Sequence, residues 1–375
     1  MRYYLPDRFR EAESLRFISP TLKHIVFPVL SHSGYFRHSI AAGPAVVTYH
    51  GVFPPGYEVR SPALDGNLVS AASFKRQLQL LKKRYYVISP DDFLGWVEGG
   101  HQLPPRSVLL TCDDALQNTL TGMLPILQEL GLPCLFFATG ASVESERSML
   151  WYEELYLMLL DGTEPVFLSF PQEQIVMNIS VDNEKRSCWW NLVERLSRFD
   201  RQARRELLDQ IRSQLKLPED WKERVVSDAR LAARFQVLNL AGLQQLVAAG
   251  MTFGAHSLSH PVLARAPEEV AWREISESRA ALENALGRTV WAFGYPFGNA
   301  ATVSAREIRL AEQAGFRCAF LNSGGGFGVK FDRFSVPRVH VTADMGLAEF
   351  EAHIAGFYRS LREKFLGASE EAISA

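Results

Sequence analysis

Three groups of acidic and histidine side chains each follow an apolar run of the sequence. "LLTCDDALQN" places Asp113 and Asp114 directly after residues that are typical of a buried strand. "MTFGAHSLSH" places His256 and His260 after a second apolar run, and "AVVTYH" ends a third run with His50. Carboxylates and imidazoles act as metal ligands and as general acids or bases. These residue types therefore indicate metal-dependent hydrolysis as the candidate chemistry.

The spacing of His256 and His260 suits a single metal ion, because residues four apart on a helical turn share one face. Two histidines and one carboxylate form the three-ligand set of a catalytic zinc. The second aspartate is then free to accept a proton from an attacking water. An Asp-Asp pair alone is more typical of a turn or helix cap, and His50 alone is compatible with a core histidine. Their shared position at strand ends favours a hydrolase site.

Short apolar runs alternate with helical patterns along most of the chain. Between the runs, apolar residues recur at helical spacing and stop at or near glycine. This alternation predicts parallel strands joined by crossover helices, in an α/β sheet or barrel whose strand ends face the ligand crevice. The predicted strands cover residues 45–50, 107–111, 134–139, 251–256, 290–295 and 317–321.

One stretch, from about residue 151 to residue 238, interrupts the alternation. "PVFLSFPQEQIVMNI" is typical of a hairpin, and charge-rich helical segments follow it. Structureless loops longer than about 15 residues are uncommon, so we expect an inserted, mainly helical subdomain. The predicted organisation is an N-terminal extension (1–44), a barrel domain (45–150 and 239–366), the insertion (151–238) and a flexible tail (367–375).

Composition argues against several other classes of protein. The 40 basic and 42 acidic residues leave a formal charge of -2, which gives no reason to expect nucleic-acid binding. No C-x-x-C spacing indicates a thiolate zinc site or a disulfide framework, and no apolar segment near the N-terminus is typical of a secretory signal. We therefore expect a cytoplasmic protein, whose basic insertion could rest on an anionic membrane surface. The scattered cysteines are Cys112, Cys134, Cys188 and Cys318.

Longer motifs around these residues resemble the polysaccharide deacetylases, the NodB-homology domains of carbohydrate esterase family 4. "SVLLTCDDALQN" is similar to their T-F-D-D-G motif, "HSLSHPVL" to their H-[ST]-x-x-H motif, and "WAFGYPFGN" to their third motif. "TYHGV" is similar to an early Y-H motif of one branch, and "FSVPRVHV" to a late strand. The resemblance spans about residues 45–342 and implies an incomplete (β/α) barrel of NodB-homology type with its site at the strand ends.

The resemblance implies a role for each matching residue. Asp113 corresponds to the general base, and Asp114, His256 and His260 correspond to the ligands of a divalent metal. Zn²⁺ is the expected ion, with Co²⁺ or Ni²⁺ as alternatives. His50 corresponds to the acid that protonates the leaving amine.

Other positions are less well matched to the family pattern. His340 is an alternative acid, although it lacks the L-x-H-D context of the family. The third motif implies an oxyanion contact from the Phe297 backbone N–H, with Tyr295 beside it. That motif lacks its usual arginine here, and we predict that Arg338 replaces it as the partner of the base.

Two residues beside the aspartates also depart from the family pattern. Cys112 replaces the usual phenylalanine, and in a buried strand it is expected to be a small core residue rather than a nucleophile. Ala115 replaces the usual glycine, which puts the shape of the pocket in question.

The expected activity is removal of acetyl groups, N-acetyl in particular, from an amino-sugar polysaccharide, oligosaccharide or lipid-linked precursor. The alternatives are hydrolysis of a small amide and a degenerate, non-catalytic carbohydrate-binding domain. Trp151, Trp189 and Trp190 could stack on sugar rings, although aromatic residues at helical spacing are more typical of a core. The sequence does not indicate the number of subunits.

Overall fold

The protein is described by a computed structural model that covers residues 20–37, 43–144, 148–162, 166–170, 175–179, 182–326 and 331–366. Its strands are β1 (Ala45–Tyr49), β2 (Tyr86–Val87), β3 (Ser107–Cys112), β4 (Leu135–Ala138), β5 (Val166–Phe170), β6 (Ile175–Ile179), β7 (Thr252–Ala255), β8 (Ala292–Gly294), β9 (Cys318–Gly324) and β10 (Val336–His340).

The α-helices alternate with these strands, as the sequence pattern predicts. They are α1 (Phe27–Ser33), α2 (Pro62–Asp65), α3 (Ala71–Arg84), α4 (Pro90–Val97), α5 (Leu124–Leu130), α6 (Ala141–Glu144), α7 (Trp151–Asp161), α8 (Asp182–Leu196), α9 (Arg201–Gln214), α10 (Trp221–Ser227), α11 (Ala229–Phe235), α12 (Leu240–Ala248), α13 (Glu268–Leu286), α14 (Ala305–Gln313), α15 (Leu347–Ile354) and α16 (Phe357–Leu366).

Seven strands form a closed parallel barrel. They are hydrogen-bonded in the order β1-β10-β9-β8-β7-β4-β3, and the pairing of β1 with β3 closes the ring. The short strand β2 pairs with the first residues of β3. The barrel has one strand fewer than the eight of a complete (β/α) barrel. The prediction of an incomplete (β/α) barrel is therefore confirmed.

Both faces of the barrel strands are buried. Val46, Leu109 and Phe137 belong to the cluster of side chains in the barrel interior. Val47 and Leu110, one position along, belong to the cluster that packs against the surrounding helices. Successive side chains of a strand point to opposite faces, so a strand buried on both faces is apolar throughout. This explains why each strand appears in the sequence as a continuous apolar run.

Local signals begin and end the crossover helices. The Ser304 side chain accepts a hydrogen bond from the first turn of α14, and the Ser304 backbone N–H donates one to the Glu307 carboxylate, which completes a capping box. The Asn239 side chain caps α12 in the same way. At their carboxyl ends, α5 and α13 stop at Gly131 and Gly287, both in the left-handed conformation that glycine adopts without strain. The rigid helices set the positions of the strands and of the loops after them.

The segment between β4 and β7 contains the antiparallel hairpin β5–β6 and the helices α7 to α11. Leu155, Leu192 and Leu208 belong to its hydrophobic cluster, which is separate from the two clusters of the barrel. After α11 the segment returns to the barrel, where Val237 forms an isolated antiparallel bridge with Leu116 beside the two aspartates. This arrangement agrees with an inserted subdomain, whose exact boundaries stay a prediction.

A buried ion cluster connects this insertion to the barrel. The Arg234 guanidinium donates to Asp65 Oδ1 at 2.7 Å, to Glu153 Oε1 at 2.8 Å and to the Leu64 carbonyl at 2.6 Å. Asp65 also accepts hydrogen bonds from the Tyr57 hydroxyl. Burial raises the pKa of Glu153 to about 7, although the nearby Arg234 opposes that increase. One arginine thus faces two buried carboxylates.

The N-terminal extension contributes α1, whose Phe27 packs with Ala352 of α15 and Phe357 of α16. The predicted flexible tail, residues 367–375, lies outside the described residues. Among the helices that the structure describes, none is both long enough and apolar enough to cross a membrane.

Candidate metal centre

Asp114, His256 and His260 converge at the carboxyl end of the barrel. Their potential ligand atoms all lie within 4.8 Å of one another, and all three residues are buried. Asp114 Oδ1 lies 3.6 Å from His256 Nε2 and 3.4 Å from His260 Nε2. Asp114 follows β3 and the histidines follow β7, so the ends of two parallel strands supply the set. The structure therefore brings together the three residues that the sequence proposed as metal ligands.

The backbone is strained where these side chains leave their strands. Asp114, Ala115, Ser257 and His260 have positive φ angles of 70°, 48°, 58° and 60°. Residues other than glycine adopt this conformation at a cost, and they retain it when surrounding contacts hold them. Ala115 N donates to the Asp113 carbonyl at 2.9 Å, which closes the turn. Ala115 thus takes the left-handed conformation that glycine adopts more easily.

A backbone carbonyl sets the protonation of His256. His256 Nδ1 lies 2.7 Å from the Gly294 carbonyl oxygen, which can only accept a hydrogen bond. Nδ1 therefore carries the proton, and the lone pair of Nε2 faces Asp114. Burial lowers the pKa of His256 to about 4, against the opposing charge of Asp113. The ring is neutral at physiological pH, as a metal ligand must be.

An unsatisfied oxygen of this cluster fits a cation. Among the described residues, Asp114 Oδ1, which faces Nε2 of both histidines, is buried without a hydrogen-bond partner. Burial alone would raise the pKa of Asp114, but the imidazoles of His260, His50 and His256 lower it below its usual value. A buried carboxylate whose oxygen lacks a donor is costly, by about 1–3 kcal/mol or more. One carboxylate and two imidazoles are also the donor set that divalent zinc prefers.

Arg338 holds the neighbouring aspartate. Its Nη1 donates to Asp113 Oδ1 at 2.7 Å and its Nη2 donates to Asp113 Oδ2 at 2.6 Å, in a bidentate pair. Arg338 itself is fixed by hydrogen bonds to the Leu321 carbonyl and the Thr111 hydroxyl. Burial would raise the pKa of Asp113, but Arg338 overrides it and keeps that pKa far below its usual value. The arginine chosen from the sequence thus lies against the predicted base.

Two histidines lie on the Asp113 side of the site. His50 Nε2 is 3.9 Å from Asp113 Oδ2, and the His50 ring centroid is 4.9 Å from that of His340. Burial lowers the pKa of His50, although Asp113 opposes the change. His50 is therefore within 3.9 Å of the predicted base, and His340 lies beside His50.

The two residues of the third motif are placed differently. Phe297 has a φ of 60°, and its ring centroid lies 4.8 Å from that of His260. The Tyr295 side chain is fully buried, and its hydroxyl donates to the Phe334 carbonyl at 2.9 Å. Phe297 is thus beside the metal cluster, whereas the structure does not bring the Tyr295 side chain to it. Tyr295 directly follows β8 and packs in the core against Phe293, with their ring centroids 5.1 Å apart.

The insertion contributes aromatic residues around His260 and Phe297, and Tyr152 among them was not foreseen from the sequence. The Tyr152 ring centroid lies 4.8 Å from that of His260 and 5.2 Å from that of Phe297. Trp190 packs edge-on against Phe297, with their centroids 5.3 Å apart. The buried Trp151 donates its indole N–H to the His260 carbonyl at 3.0 Å. The sequence shows only that Trp151 and Tyr152 are adjacent. It does not reveal their contacts with His260 and Phe297, because these depend on how the insertion packs onto the barrel.

Trp189 and Cys112 both lie in the core of the protein. Trp189 is buried and donates its indole N–H to the Tyr152 carbonyl at 2.6 Å, so its ring is not an exposed sugar platform. Cys112 is buried with its Sγ 3.6 Å from the sulfur of Met123, and burial raises the pKa of its thiol well above the usual value. A thiol with a raised pKa is a poor nucleophile, which agrees with a packing role.

Comparisons with known proteins point to one family. The family model for polysaccharide deacetylase matches residues 229–319, a segment that contains His256 and His260 but not the aspartates. No curated protein matches the chain.

Solved structures share the fold at low sequence identity. IcaB from Ammonifex degensii superimposes with a TM-score of 0.51 at 18% identity, covering 84% of this chain and 97% of that chain. The Streptococcus pyogenes deacetylase PplD, in complex with acetate, gives a TM-score of 0.51 at 16% identity, covering 82% and 96% of the two chains. The fold prediction of a NodB-type (β/α) barrel is therefore confirmed. The family model adds a similarity to the polysaccharide deacetylases over residues 229–319.

Proposed function

We propose that this chain is a metal-dependent polysaccharide deacetylase that removes N-acetyl groups from an amino-sugar glycan. The observation that carries the proposal is the Asp114, His256 and His260 cluster beside an aspartate held by a bidentate arginine. Glycan binding alone does not require a fixed, ionised carboxylate next to a metal-binding set. A hydrolase does, because it needs both an electrophile for the carbonyl and a base for the water.

Asp114 and the imidazoles of His256 and His260 would hold the ion, with Zn²⁺ as the first choice and Co²⁺ or Ni²⁺ as alternatives. When bound, the ion would supply a Lewis acid that polarises the acyl carbonyl. The hydrogen bond from His256 Nδ1 to the Gly294 carbonyl keeps His256 Nε2 directed at the cluster. Such outer partners orient ligands and raise metal affinity.

Asp113 would accept the proton of the attacking water. Its Oδ2 lies 4.0 Å from His256 Nε2, so a water molecule beside the ligands is within hydrogen-bonding reach of it. Arg338 holds both oxygens and keeps the carboxylate ionised, which makes Arg338 a positioning residue for the base. A base that is already oriented loses no further rotational freedom when the reaction begins.

His50 would donate the proton that the departing amine requires. Burial lowers the pKa of His50, and the Asp113 carboxylate 3.9 Å away opposes that change and favours the protonated ring that this step requires. His340, whose ring lies beside that of His50, is the alternative acid. The Phe297 backbone N–H, at the edge of the metal cluster, would donate to the oxyanion as the acyl carbon becomes tetrahedral.

The direct test is acetate release from N-acetylglucosamine oligomers by protein supplied with zinc or cobalt. We expect wild type to release acetate and Asp113→Asn to be slower by about a hundredfold or more. Asp344→Asn, at an exposed aspartate, is the matched control and should retain full activity. Equal rates for wild type and Asp113→Asn would remove Asp113 from the mechanism.

Hydrolysis of a small amide is the second candidate. Tyr152 and Trp190 of the insertion, packed around Phe297, line the metal cluster with aromatic surface that could enclose a small substrate. A panel of N-acetylglucosamine oligomers and small linear and cyclic amides distinguishes the two candidates. Turnover of the amides alone would favour the second.

A further inference from the structure

We infer that the inserted subdomain is part of the metal centre, and that Arg204 and Trp151 are positioning residues for His260. The inference rests on the proposed function, because it assumes that the cluster binds metal. It assigns the insertion a role in metal affinity. That role is separate from any contact with the substrate.

Arg204 of α9 connects the backbone of the insertion to the loop that carries the histidines. The arginine is almost completely buried. Its Nη1 donates to Ser259 Oγ at 2.9 Å, and its Nη2 and Nε donate to the carbonyls of Phe199 and Leu196 at 3.0 and 3.3 Å. Ser259 directly precedes His260 in the chain. A single side chain of the insertion therefore holds the residue next to a candidate ligand.

Ser259 is held from the barrel side as well. Its backbone N–H donates to Glu274 Oε2 at 2.7 Å, and its hydroxyl donates to the same carboxylate. Glu274, on barrel helix α13, also lies 3.8 Å from the Arg204 guanidinium. Burial lowers the pKa of Arg204 to about 10, so the arginine stays protonated at physiological pH. The ion pair thus joins the two parts of the molecule at the residue before His260.

Trp151 makes the second connection, at His260 itself. Its indole N–H donates to the His260 carbonyl at 3.0 Å. The Arg204 guanidinium lies over the Trp151 ring, 4.8 Å from its centroid, so the two residues support each other. The Ser197 hydroxyl of the insertion accepts a hydrogen bond from the Val262 backbone at 2.9 Å. Three side chains of the insertion thus bind the segment from Ser259 to Val262.

The conformation of this loop explains why such contacts matter. Ser257 and His260 both have positive φ angles, 58° and 60°, which residues other than glycine retain only under external constraint. One constraint is local, because Ser257 Oγ accepts a hydrogen bond from His260 N at 2.8 Å. Glu274 of the barrel and Arg204, Trp151 and Ser197 of the insertion supply further constraints. Without them the loop can relax toward an ordinary conformation, and His260 then moves relative to Asp114.

The test measures zinc affinity of the full-length chain by competition with a chromophoric chelator. We expect Arg204→Met to weaken zinc binding by about 10–100-fold, the typical effect of losing an outer partner of a ligand. Arg205→Met is the matched control, because Arg205 pairs with Glu154 at 2.9 Å within the insertion and should retain wild-type affinity. Arg204→Lys, which retains the charge and one donor, should give an intermediate affinity.

A milder pair of variants covers the case in which Arg204→Met does not fold. Trp151→Phe removes one hydrogen bond to His260, whereas Trp221→Phe removes the equivalent bond to Asp161, 3.0 Å long and within the insertion. We expect weaker zinc binding for Trp151→Phe alone, with similar unfolding temperatures of the two metal-free variants. Equal zinc affinity in Trp151→Phe and Trp221→Phe would overturn the inference.

The outcomes also separate this inference from the proposed function. A wild-type chain that binds neither zinc nor cobalt would overturn both. Normal zinc affinity in folded Arg204→Met, with acetate release by wild type intact, would overturn only the role of the insertion. Equal losses of affinity in Arg204→Met and Arg205→Met would also overturn it, because they would indicate a general effect on the insertion.

Discussion

The pair formed by Arg338 and Asp113 gives the sharpest prediction. The two side chains are separated by 225 positions in the sequence and are both about 1% exposed. Arg338→Met keeps the volume of the side chain but leaves the Asp113 carboxylate without its guanidinium. Breaking a buried pair on one side costs about 3–5 kcal/mol, because the remaining charge is desolvated and uncompensated. Two lost hydrogen bonds to a charged group, at about 1.5–3 kcal/mol each, give a similar figure.

A double-mutant cycle separates this penalty from the simple loss of packing. Asp113→Asn removes the charge, so Arg338→Met should cost much less in an Asp113→Asn background than in wild type. We expect an interaction energy of about 2 kcal/mol or more from urea unfolding of the metal-free variants at neutral pH. Arg224→Met, at an exposed pair with Asp220, is the control and should leave the urea midpoint almost unchanged. Additive effects within about 0.5 kcal/mol would refute the reasoning.

Arg338→Met also tests the catalytic role of Arg338. Arg338 is not part of the Asp114, His256 and His260 cluster, so Arg338→Met should still bind zinc. Turnover should fall by about a hundredfold, because the base is no longer held in place. Full turnover with zinc bound would exclude Arg338 from the mechanism.

Three further perturbations test other parts of the structure. In Gly294→Ala the added methyl carbon would lie 3.0 Å from His256 Nδ1, so zinc affinity measured by chelator competition should fall. Burial raises the pKa of Glu153 to about 7, above its unfolded value, so its neutral form stabilises the fold below pH 4.5 and this contribution is lost as pH rises through about 7. The free energy of unfolding, measured with urea, should therefore fall by about 3 kcal/mol between about pH 5 and pH 8 in wild type, and Glu153→Gln should abolish this fall. An unchanged fall in the variant would exclude Glu153 as its source. His50→Gln should lower kcat for acetate release by about a hundredfold and His340→Gln by much less, and the reverse order would make His340 the acid.

The alternation of strands and helices was predictable because it is a local property. Each barrel strand is a run of apolar residues, and each crossover helix has its own caps, such as Asn239 before α12 and Gly287 after α13. The candidate ligands were also predictable. Asp114 and His256 directly follow predicted strands, and parallel strands end at one edge of a barrel. The short strand β2, only two residues long, was not predicted because it has no periodicity to detect.

The contacts that complete the site come only from the tertiary structure. The pairing of β1 with β3 closes the barrel and brings His50 to Asp113, and the register of β10 directs Arg338 into the interior. Tyr295 lies in the same motif as Phe297, two positions earlier, yet its side chain is buried in the core and donates to the Phe334 carbonyl.

The sequence by itself therefore determined the strand–helix alternation and the residue types of the candidate site, since both depend on short stretches of chain. Apart from Arg338, it did not determine which side chains hold them. The contacts of Arg204 with Ser259 and of Trp151 with the His260 carbonyl join residues 55 and 109 positions apart. Such contacts follow from the packing of whole elements against each other. That packing is settled by side-chain shape and barrel register throughout the molecule, and not by any single motif.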